Sequence, residues 1–248
     1  FLPEIDEVHI SVAFTYDLPK AELLAEQWRH IAPVKLGGPA YDEPGGEFEV
    51  GRYVKPGYVI TSRGCHNKCW FCSVWRREGG HVRELEIKEG NNILDDNLLA
   101  CSDQHIKDVF AMLKRQQYGQ PIFTGGIEAA ILKDWHCKLL YEVKPKSLFF
   151  AHDTPDDLEP LIEAGVKLRG AGFTTASHTL RCYVLIGYPK DTFEAAEQRL
   201  VQTVNAGFLP MAMLYRDKQG HVEKEWQKFQ RKWARPSIVG SIIKEEAV

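Results

Sequence analysis

The sequence predicts an α/β fold: a partial barrel of six strand-and-helix units, (βα)6, with a small N-terminal βαβ extension. From residue 57 onward, short apolar segments recur between helix-forming stretches. These segments are almost continuously apolar, which is typical of parallel strands buried on both faces. Six units fall short of a complete eight-unit barrel, which usually needs about 250 residues for itself. The predicted barrel is therefore incomplete.

Each predicted barrel strand is a short apolar run that ends in a turn or a polar segment. The six strands are expected at residues 58–62, 92–95, 121–124, 147–152, 181–186 and 209–214. Three helices are expected between them, at 103–117, at 155–164 with Gly165 as its C-cap, and at 192–206 closed by Gly207. In such barrels the chemistry lies at the carboxyl ends of the strands. Here those ends carry residues 65–72, 95–97, 125–126, 152–153, 187–188 and 215–217.

The two ends of the chain differ from the barrel and predict three regions. The regions are an N-terminal βαβ unit and linker at 1–50, the barrel at 51–220, and a C-terminal amphipathic helix and tail at 221–248. In the last region Trp226, Phe229 and Trp233 share one helical face. A helix that closes the barrel is therefore favoured over a nucleic-acid-binding segment, which the basic and aromatic residues there would otherwise suggest.

The composition is that of a globular protein of the reducing cytoplasm. Of the 248 residues, 44% are hydrophobic and 26% are charged, and the formal net charge is −3, which gives no general attraction to nucleic acid or anionic membranes. No apolar run reaches the 18 residues of a membrane span, and the first seven residues lack a signal-peptide pattern. Three of the six cysteines fall within eight residues, which indicates metal binding rather than a disulfide scaffold.

The clustered cysteines, Cys65, Cys69 and Cys72, have the spacing C-x3-C-x2-C and follow the first predicted barrel strand. A tight loop with three thiolates can hold three corners of a cubane iron–sulfur cluster and leave one iron open to a ligand. A structural zinc site completed by His66 or His81 is the main alternative. It is disfavoured because no second C-x2-C or H-x3-5-H pair follows along the chain.

This loop resembles the signature of the radical S-adenosylmethionine (radical SAM) superfamily, C-x3-C-x-aromatic-C, with Phe71 at the aromatic position. The resemblance covers about residues 57–217 and implies a radical SAM-type barrel. It also implies an oxygen-sensitive [4Fe-4S] cluster held by Cys65, Cys69 and Cys72, with S-adenosylmethionine as the second cofactor. Reductive cleavage of this cofactor would yield a 5′-deoxyadenosyl radical that abstracts hydrogen from a small-molecule, peptide or nucleotide substrate. An external one-electron reductant such as flavodoxin or ferredoxin is implied as a partner.

The resemblance also assigns residues to the two ligands of the site. The residues expected to bind S-adenosylmethionine are Phe71, Gly125, Gly126, Glu128, Asp153 and Gly187. Glu128 is displaced by one position from the acid of the family pattern because Ile127 intervenes. The candidate catalytic, substrate-facing residues are Asp96, His152, Tyr188 and Arg216. Structural roles compete with these assignments: a plain turn for the glycine pair, a satisfied barrel histidine for His152, and turn or cap residues at positions 95–97.

The N-terminal unit resembles a remnant of the cobalamin-binding domain that precedes some radical SAM barrels. The cobalamin signature D-x-H-x-x-G is absent from it, so no cobalamin is expected. No cysteine follows Cys182, so a single cluster is expected. The alternative function, from a different class, is an iron–sulfur electron carrier or sensor that does not cleave S-adenosylmethionine.

Overall fold

One six-stranded parallel sheet organises most of the chain. The structure, a computed structural model, describes residues 4–234 and Val239. Within these residues the strands β1 to β10 are Val8–Ser11, Val34–Gly37, Tyr58–Val59, Ser62–Arg63, Arg83–Glu84, Asn92–Ile93, Ile122–Phe123, Ser147–Ala151, Leu180–Ile186 and Leu209–Leu214. The helices α1 to α7 are Leu18–Trp28, Val74–Arg77, Asp103–Arg115, Asp134–Glu142, Leu158–Gly170, Phe193–Asn205 and Lys224–Lys232.

The strands of the large sheet lie in chain order, β3-β6-β7-β8-β9-β10, and every neighbouring pair is parallel. Helices α3 to α6 connect successive strands and supply apolar faces that cover the sheet. Burial explains why the strand sequences are continuously apolar: four of the five residues of β8 are buried. The predicted α/β class and the parallel arrangement of its strands are confirmed.

The first strand of the sheet is shorter than predicted because the second half of the predicted segment leaves the sheet. Tyr58–Val59 pairs with β6, whereas Ser62–Arg63 forms an antiparallel pair with Arg83–Glu84. Helices α2 and α4 were not predicted. The antiparallel pair β4–β5 thus closes a loop outside the large sheet, and this loop contains the three clustered cysteines.

The predicted helix end at Gly165 is wrong. Helix α5 continues to Gly170, and Gly165 lies in its interior. A Cβ atom at Gly165 would lie 2.2 Å from the carbonyl oxygen of Ala206, at the end of α6. Glycine is needed there because α5 approaches the neighbouring backbone closely, not because the helix ends.

The N-terminal residues form the predicted βαβ unit, with β1 parallel to β2 and helix α1 between them. Three of its buried residues, Val12, Ala21 and Ala40, form a small apolar cluster of their own. The unit contacts the end of the sheet through Thr15, whose hydroxyl donates a hydrogen bond to the carbonyl oxygen of Lys218 at 2.9 Å.

Helix α7 packs its aromatic face on the core, as the spacing predicts. Trp226 and Trp233 are buried and Phe229 packs against the same core. The ring centroid of Phe193 on α6 lies 4.3 Å from that of Trp226. Most of the predicted tail, residues 235–238 and 240–248, lies outside the described residues. Among the helices that the structure describes, none is long and apolar enough to cross a membrane.

Candidate functional site

The three clustered cysteines lie on the cysteine loop, residues 65–72, between β4 and α2. The loop is tightened by two hydrogen bonds to the carbonyl oxygen of Cys69, from the Cys72 backbone N–H at 3.1 Å and from the Trp75 indole Nε1–H at 3.0 Å. Cys65, Cys69 and Cys72 are half-buried and free of disulfides. The sulfur atom of Cys65 accepts a hydrogen bond from the Asn67 backbone N–H at 3.4 Å.

The thiols influence one another electrostatically. Burial, with smaller contributions from the charges of Cys72 and Cys65, raises the pKa of Cys69 to about 11. Burial also raises the pKa of Cys72. Coordination to a metal deprotonates a thiol and reverses this preference.

The donor set of the cysteine loop fits a cluster in its chemistry but is not assembled for one. Three thiols on one short loop are the soft ligands that iron–sulfur clusters and zinc prefer. Across residues 4–234 and Val239, no group of three or more His, Cys, Asp or Glu side chains converges closely enough to hold a metal ion. The thiols would therefore have to draw together on binding, whether the metal is an iron–sulfur cluster or zinc.

A buried glutamate, Glu78, connects the segments that flank the cysteine loop. Glu78 accepts hydrogen bonds from Arg77 Nε at 3.0 Å and from Arg83 Nη2 at 2.9 Å, and Arg63 Nη1 lies 3.7 Å from its carboxylate. The Gly45 backbone N–H also donates to it at 3.0 Å. Burial raises the pKa of Glu78, but these hydrogen bonds and the arginine charges outweigh burial and lower it.

Two carboxylates at the end of β6 hold the segment that leads into the cysteine loop. Asp95 is buried and accepts hydrogen bonds from the Thr61 backbone N–H and hydroxyl, both at 2.6 Å, and from the Ser62 hydroxyl at 2.7 Å. Asp96 accepts from the Gly64 backbone N–H at 2.8 Å. Burial raises the pKa of both carboxyl groups. Asp96, a candidate substrate-facing residue, thus has a backbone partner one residue before Cys65.

Asn97, the next residue, reaches the cysteine loop itself. Its amide Nδ2 lies 3.5 Å from Cys65 Sγ and 2.5 Å from Glu128 Oε2. His66 Nε2 lies 3.3 Å from the other carboxylate oxygen of Glu128. The structure therefore brings Glu128 to the cysteine loop although Ile127 separates it from the glycine pair.

The glycine pair follows β7 and lies against the same strand end. A Cβ atom at Gly125 would lie 2.1 Å from the carbonyl oxygen of Asp95, so only glycine allows the two strand ends to approach. Gly126 has a φ of 99°, and its Cβ position lies 3.9 Å from the nearest atom, the carbonyl oxygen of Phe149. Because the pair has no side chains, its backbone is open to close approach by a ligand beside Glu128.

The two predicted residues at the end of β8 have different surroundings. His152 is buried against α6, its Nδ1 lies 3.1 Å from Thr203 Oγ1, and burial lowers its pKa. This contact ties His152 to α6 rather than to the cysteine loop, and its Nε2 is buried without a hydrogen-bond partner among the described residues. Asp153 accepts a hydrogen bond from the Leu185 backbone N–H at 2.8 Å, and burial raises its pKa to about 6. Its charge makes a small contribution to the raised pKa of Cys69.

Aromatic rings connect the cysteine loop to the ends of β9 and β10. Trp70 is 52% exposed, and its ring centroid lies 5.7 Å from that of Tyr188 and 5.8 Å from that of Tyr215. Phe71 packs edge-on against Trp70 at 5.4 Å. Tyr188 and Tyr215 line a cavity of about 500 Å³ together with Gly187.

Arg216 does not line this cavity. The described residues that do are Gly187, Tyr188, Pro189, Lys190, Asp191, Leu214, Tyr215, Asp217, His221, Val222, Glu223 and Trp226. The guanidinium of Arg216 instead lies 5.8 Å from the ring of Tyr16 in the N-terminal unit.

The site contains residues to which the sequence assigned no role. Asn97 was grouped with Asp95 and Asp96 at a strand end, but its contact with Cys65 required the fold. Sequence position could have indicated two of them as site residues: Trp70 lies within the cysteine motif, and Tyr215 follows a predicted strand.

Comparison of the chain with protein-family models found no match, and comparison with curated proteins found none either. Three soft ligands, an acid, exposed glycine backbone and an aromatic-walled cavity share one end of the parallel sheet.

Proposed function

We propose that the chain is a radical SAM enzyme whose sheet is a partial radical SAM-type barrel. The observation that carries this proposal is the link from Cys65 through Asn97 to Glu128. It places an acid and the adjoining glycine pair beside a three-cysteine loop at the carboxyl end of a parallel sheet. This is where the chemistry of parallel α/β folds is located.

Each part of the site has a role in this proposal. Cys65, Cys69 and Cys72 would hold a [4Fe-4S] cluster. The backbone of Gly125 and Gly126 would lie along the methionine part of S-adenosylmethionine, and Glu128 would accept hydrogen bonds from its amino group. When bound, the cluster supplies the electron that cleaves S-adenosylmethionine to methionine and a 5′-deoxyadenosyl radical, which abstracts hydrogen from the substrate.

The protein's own contribution is to orient these ligands and to exclude water. Asp95 and Asp96 hold the segment 61–64, which precedes the loop, through four hydrogen bonds. Glu78 holds the segment that follows the loop through Arg77. Trp70, a residue of the loop, would exclude water on the side where its ring packs against those of Tyr188 and Tyr215. A reactive radical needs such shielding because water and stray hydrogen donors would quench it.

The cavity beside Tyr188 and Tyr215 is the proposed entrance for the substrate. Its volume of about 500 Å³ is within the range of small-molecule sites. A small molecule or the end of a peptide or nucleotide would fit there. The proposed partner is a one-electron reductant such as flavodoxin or ferredoxin, and the proposed location is the reducing cytoplasm, where thiols remain available for a cluster.

The test is anaerobic reconstitution with iron and sulfide, followed by incubation with S-adenosylmethionine and dithionite. Methionine and 5′-deoxyadenosine are then measured by mass spectrometry. The negative variant changes Cys65, Cys69 and Cys72 to Ala. The matched control changes the other three cysteines, Cys101, Cys137 and Cys182, to Ala, which removes as many thiols but leaves the loop intact.

Formation of 5′-deoxyadenosine that is lost only in the loop variant would support the proposal. A cluster that assembles on the three loop cysteines but binds no S-adenosylmethionine would overturn it and support an electron carrier or sensor. Stoichiometric zinc in protein purified anaerobically, with no cluster after reconstitution, would support a zinc site instead.

A further inference from the structure

We propose that Asn97 is a positioning residue that sets the reduction potential of the cluster by donating a hydrogen bond to Cys65 while it holds Glu128 in place. This inference rests on the proposed function, because it assumes that Cys65 is a cluster ligand. The one side chain then links a residue that would hold the cluster to the acid that would bind S-adenosylmethionine.

The backbone of Asn97 is fixed by its neighbours. It directly follows Asp95 and Asp96, whose carboxylates are bonded to the segment 61–64. It also begins the short 3-10 turn Leu98–Ala100, whose last residue donates its N–H to the Asn97 carbonyl oxygen at 3.2 Å. The side chain therefore starts from a rigid point between the strand end and the cysteine loop.

The contacts of the side chain specify its orientation. Asn97 is only 3% exposed, and its amide nitrogen Nδ2 has two hydrogens, one for Cys65 Sγ at 3.5 Å and one for Glu128 Oε2 at 2.5 Å. A metal-bound thiolate and an ionised carboxylate are both acceptors only, so the nitrogen rather than the oxygen must face them.

The amide oxygen shows that this arrangement has a cost. Asn97 Oδ1 is buried and has no hydrogen-bond partner among the described residues. An unsatisfied buried acceptor is unfavourable, so a side chain chosen only for packing would be apolar here. An asparagine is explained if its two donors are what the site requires.

Hydrogen bonds to the sulfur ligands of an iron–sulfur cluster raise its reduction potential, because they stabilise the more negative, reduced state. Cys65 Sγ has two such donors in the structure, the backbone N–H of Asn67 and the side chain of Asn97. Substitution of Asn97 removes its donor, whereas substitution of Asn67 leaves the backbone N–H in place. This difference provides a matched pair of Asn→Ala variants around the same sulfur atom.

The experiment measures the midpoint potential of the reconstituted holoprotein by anaerobic potentiometric titration, with the reduced cluster followed by electron paramagnetic resonance. The variants are Asn97→Ala, the similarly shaped but apolar Asn97→Leu, and Asn67→Ala as the control. We expect both Asn97 variants to lower the ratio of reduced to oxidised cluster at a fixed potential about tenfold, a midpoint change of about 59 mV for one electron. Asn67→Ala should titrate like the wild type.

If, at a fixed potential, the ratio of reduced to oxidised cluster in both Asn97 variants lies within twofold of the wild-type ratio, the inference is overturned. This holds even if the wild type cleaves S-adenosylmethionine. If Asn97→Ala fails to assemble a cluster, the result from Asn97→Leu decides. If both fail, resonance Raman spectra of the wild-type cluster decide: iron–sulfur bands that do not shift in deuterated buffer would overturn it. A wild type that assembles no [4Fe-4S] cluster would refute the proposed function and the inference with it, and so is distinguishable from failure of the inference alone.

Discussion

The ion pair of Asp191 and Arg199 ties the loop after β9 to helix α6, beside the cavity. Arg199 Nη2 lies 2.8 Å from Asp191 Oδ2 and also donates to the Leu185 carbonyl oxygen at 3.0 Å. The same carboxylate oxygen accepts from the Gly187 backbone N–H at 2.8 Å. The Asp191 side chain is 1% exposed and that of Arg199 is 9% exposed, so neither charge is solvated when its partner is removed.

We expect Asp191→Leu to lower the free energy of unfolding by about 3–5 kcal/mol, because it leaves a buried guanidinium without a counter-charge. Arg199→Met should cost a similar amount by leaving the carboxylate unpaired. The double variant Asp191→Leu with Arg199→Met removes both charges. It leaves only backbone groups unsatisfied, so we expect it to cost about 1–3 kcal/mol.

The assay is urea denaturation of the metal-free protein under reducing conditions, analysed as a double-mutant cycle. We expect a coupling energy of at least about 3 kcal/mol between the two positions. The exposed pair of Lys232 and Glu197, at 2.9 Å, is the control, and Glu197→Ala should cost less than about 1 kcal/mol. Single variants at Asp191 and Arg199 that cost as little as this control, with additive effects, would refute the reasoning.

Three further predictions concern other parts of the fold. Burial raises the pKa of Asp153 from 3.8 to about 6, so the folded protein holds this proton more tightly than the unfolded chain. Its contribution to stability is present below pH 3.8 and is lost as the pH rises through about 6, by at most roughly 3 kcal/mol. Asp153→Asn should flatten that part of the stability curve measured by urea titration, and an unchanged curve would contradict the assignment. Gly165→Ala should destabilise the protein despite its gain of about 1 kcal/mol in helix propensity, since the added Cβ would lie 2.2 Å from the Ala206 carbonyl oxygen. In the same helix Gly170→Ala meets no atom within 4 Å and should be neutral or stabilising, so equal melting temperatures for the two variants would argue against the close approach. Trp226→Ala, at a position 8% exposed, should cost about 3–5 kcal/mol by removing the aromatic anchor of α7, and a urea midpoint unchanged from the wild type would show that α7 is not part of the core.

Much of the fold followed from local patterns. The strand at 209–214 was predicted to the residue, and 181–186 to within one, because continuous apolar runs bounded by glycine leave few alternatives. Helix α4 was missed because its sequence, DWHCKLLYE, interrupts the apolar periodicity with polar residues. Gly165 was misassigned because a helix-terminating glycine and a glycine required by close packing look alike in sequence.

In the candidate site, too, the features that are local in sequence were predictable and the contacts between distant residues were not. The spacing of Cys65, Cys69 and Cys72 determined by itself that three thiols share one short loop, because covalent proximity needs no fold. Only the tertiary structure decided which residues face that loop. Asn97 is 32 residues from Cys65 and 31 from Glu128, and the three meet because neighbouring parallel strands end at the same edge of the sheet. Strand register and helix packing set these contacts. Both depend on interactions throughout the core, which no local sequence pattern contains.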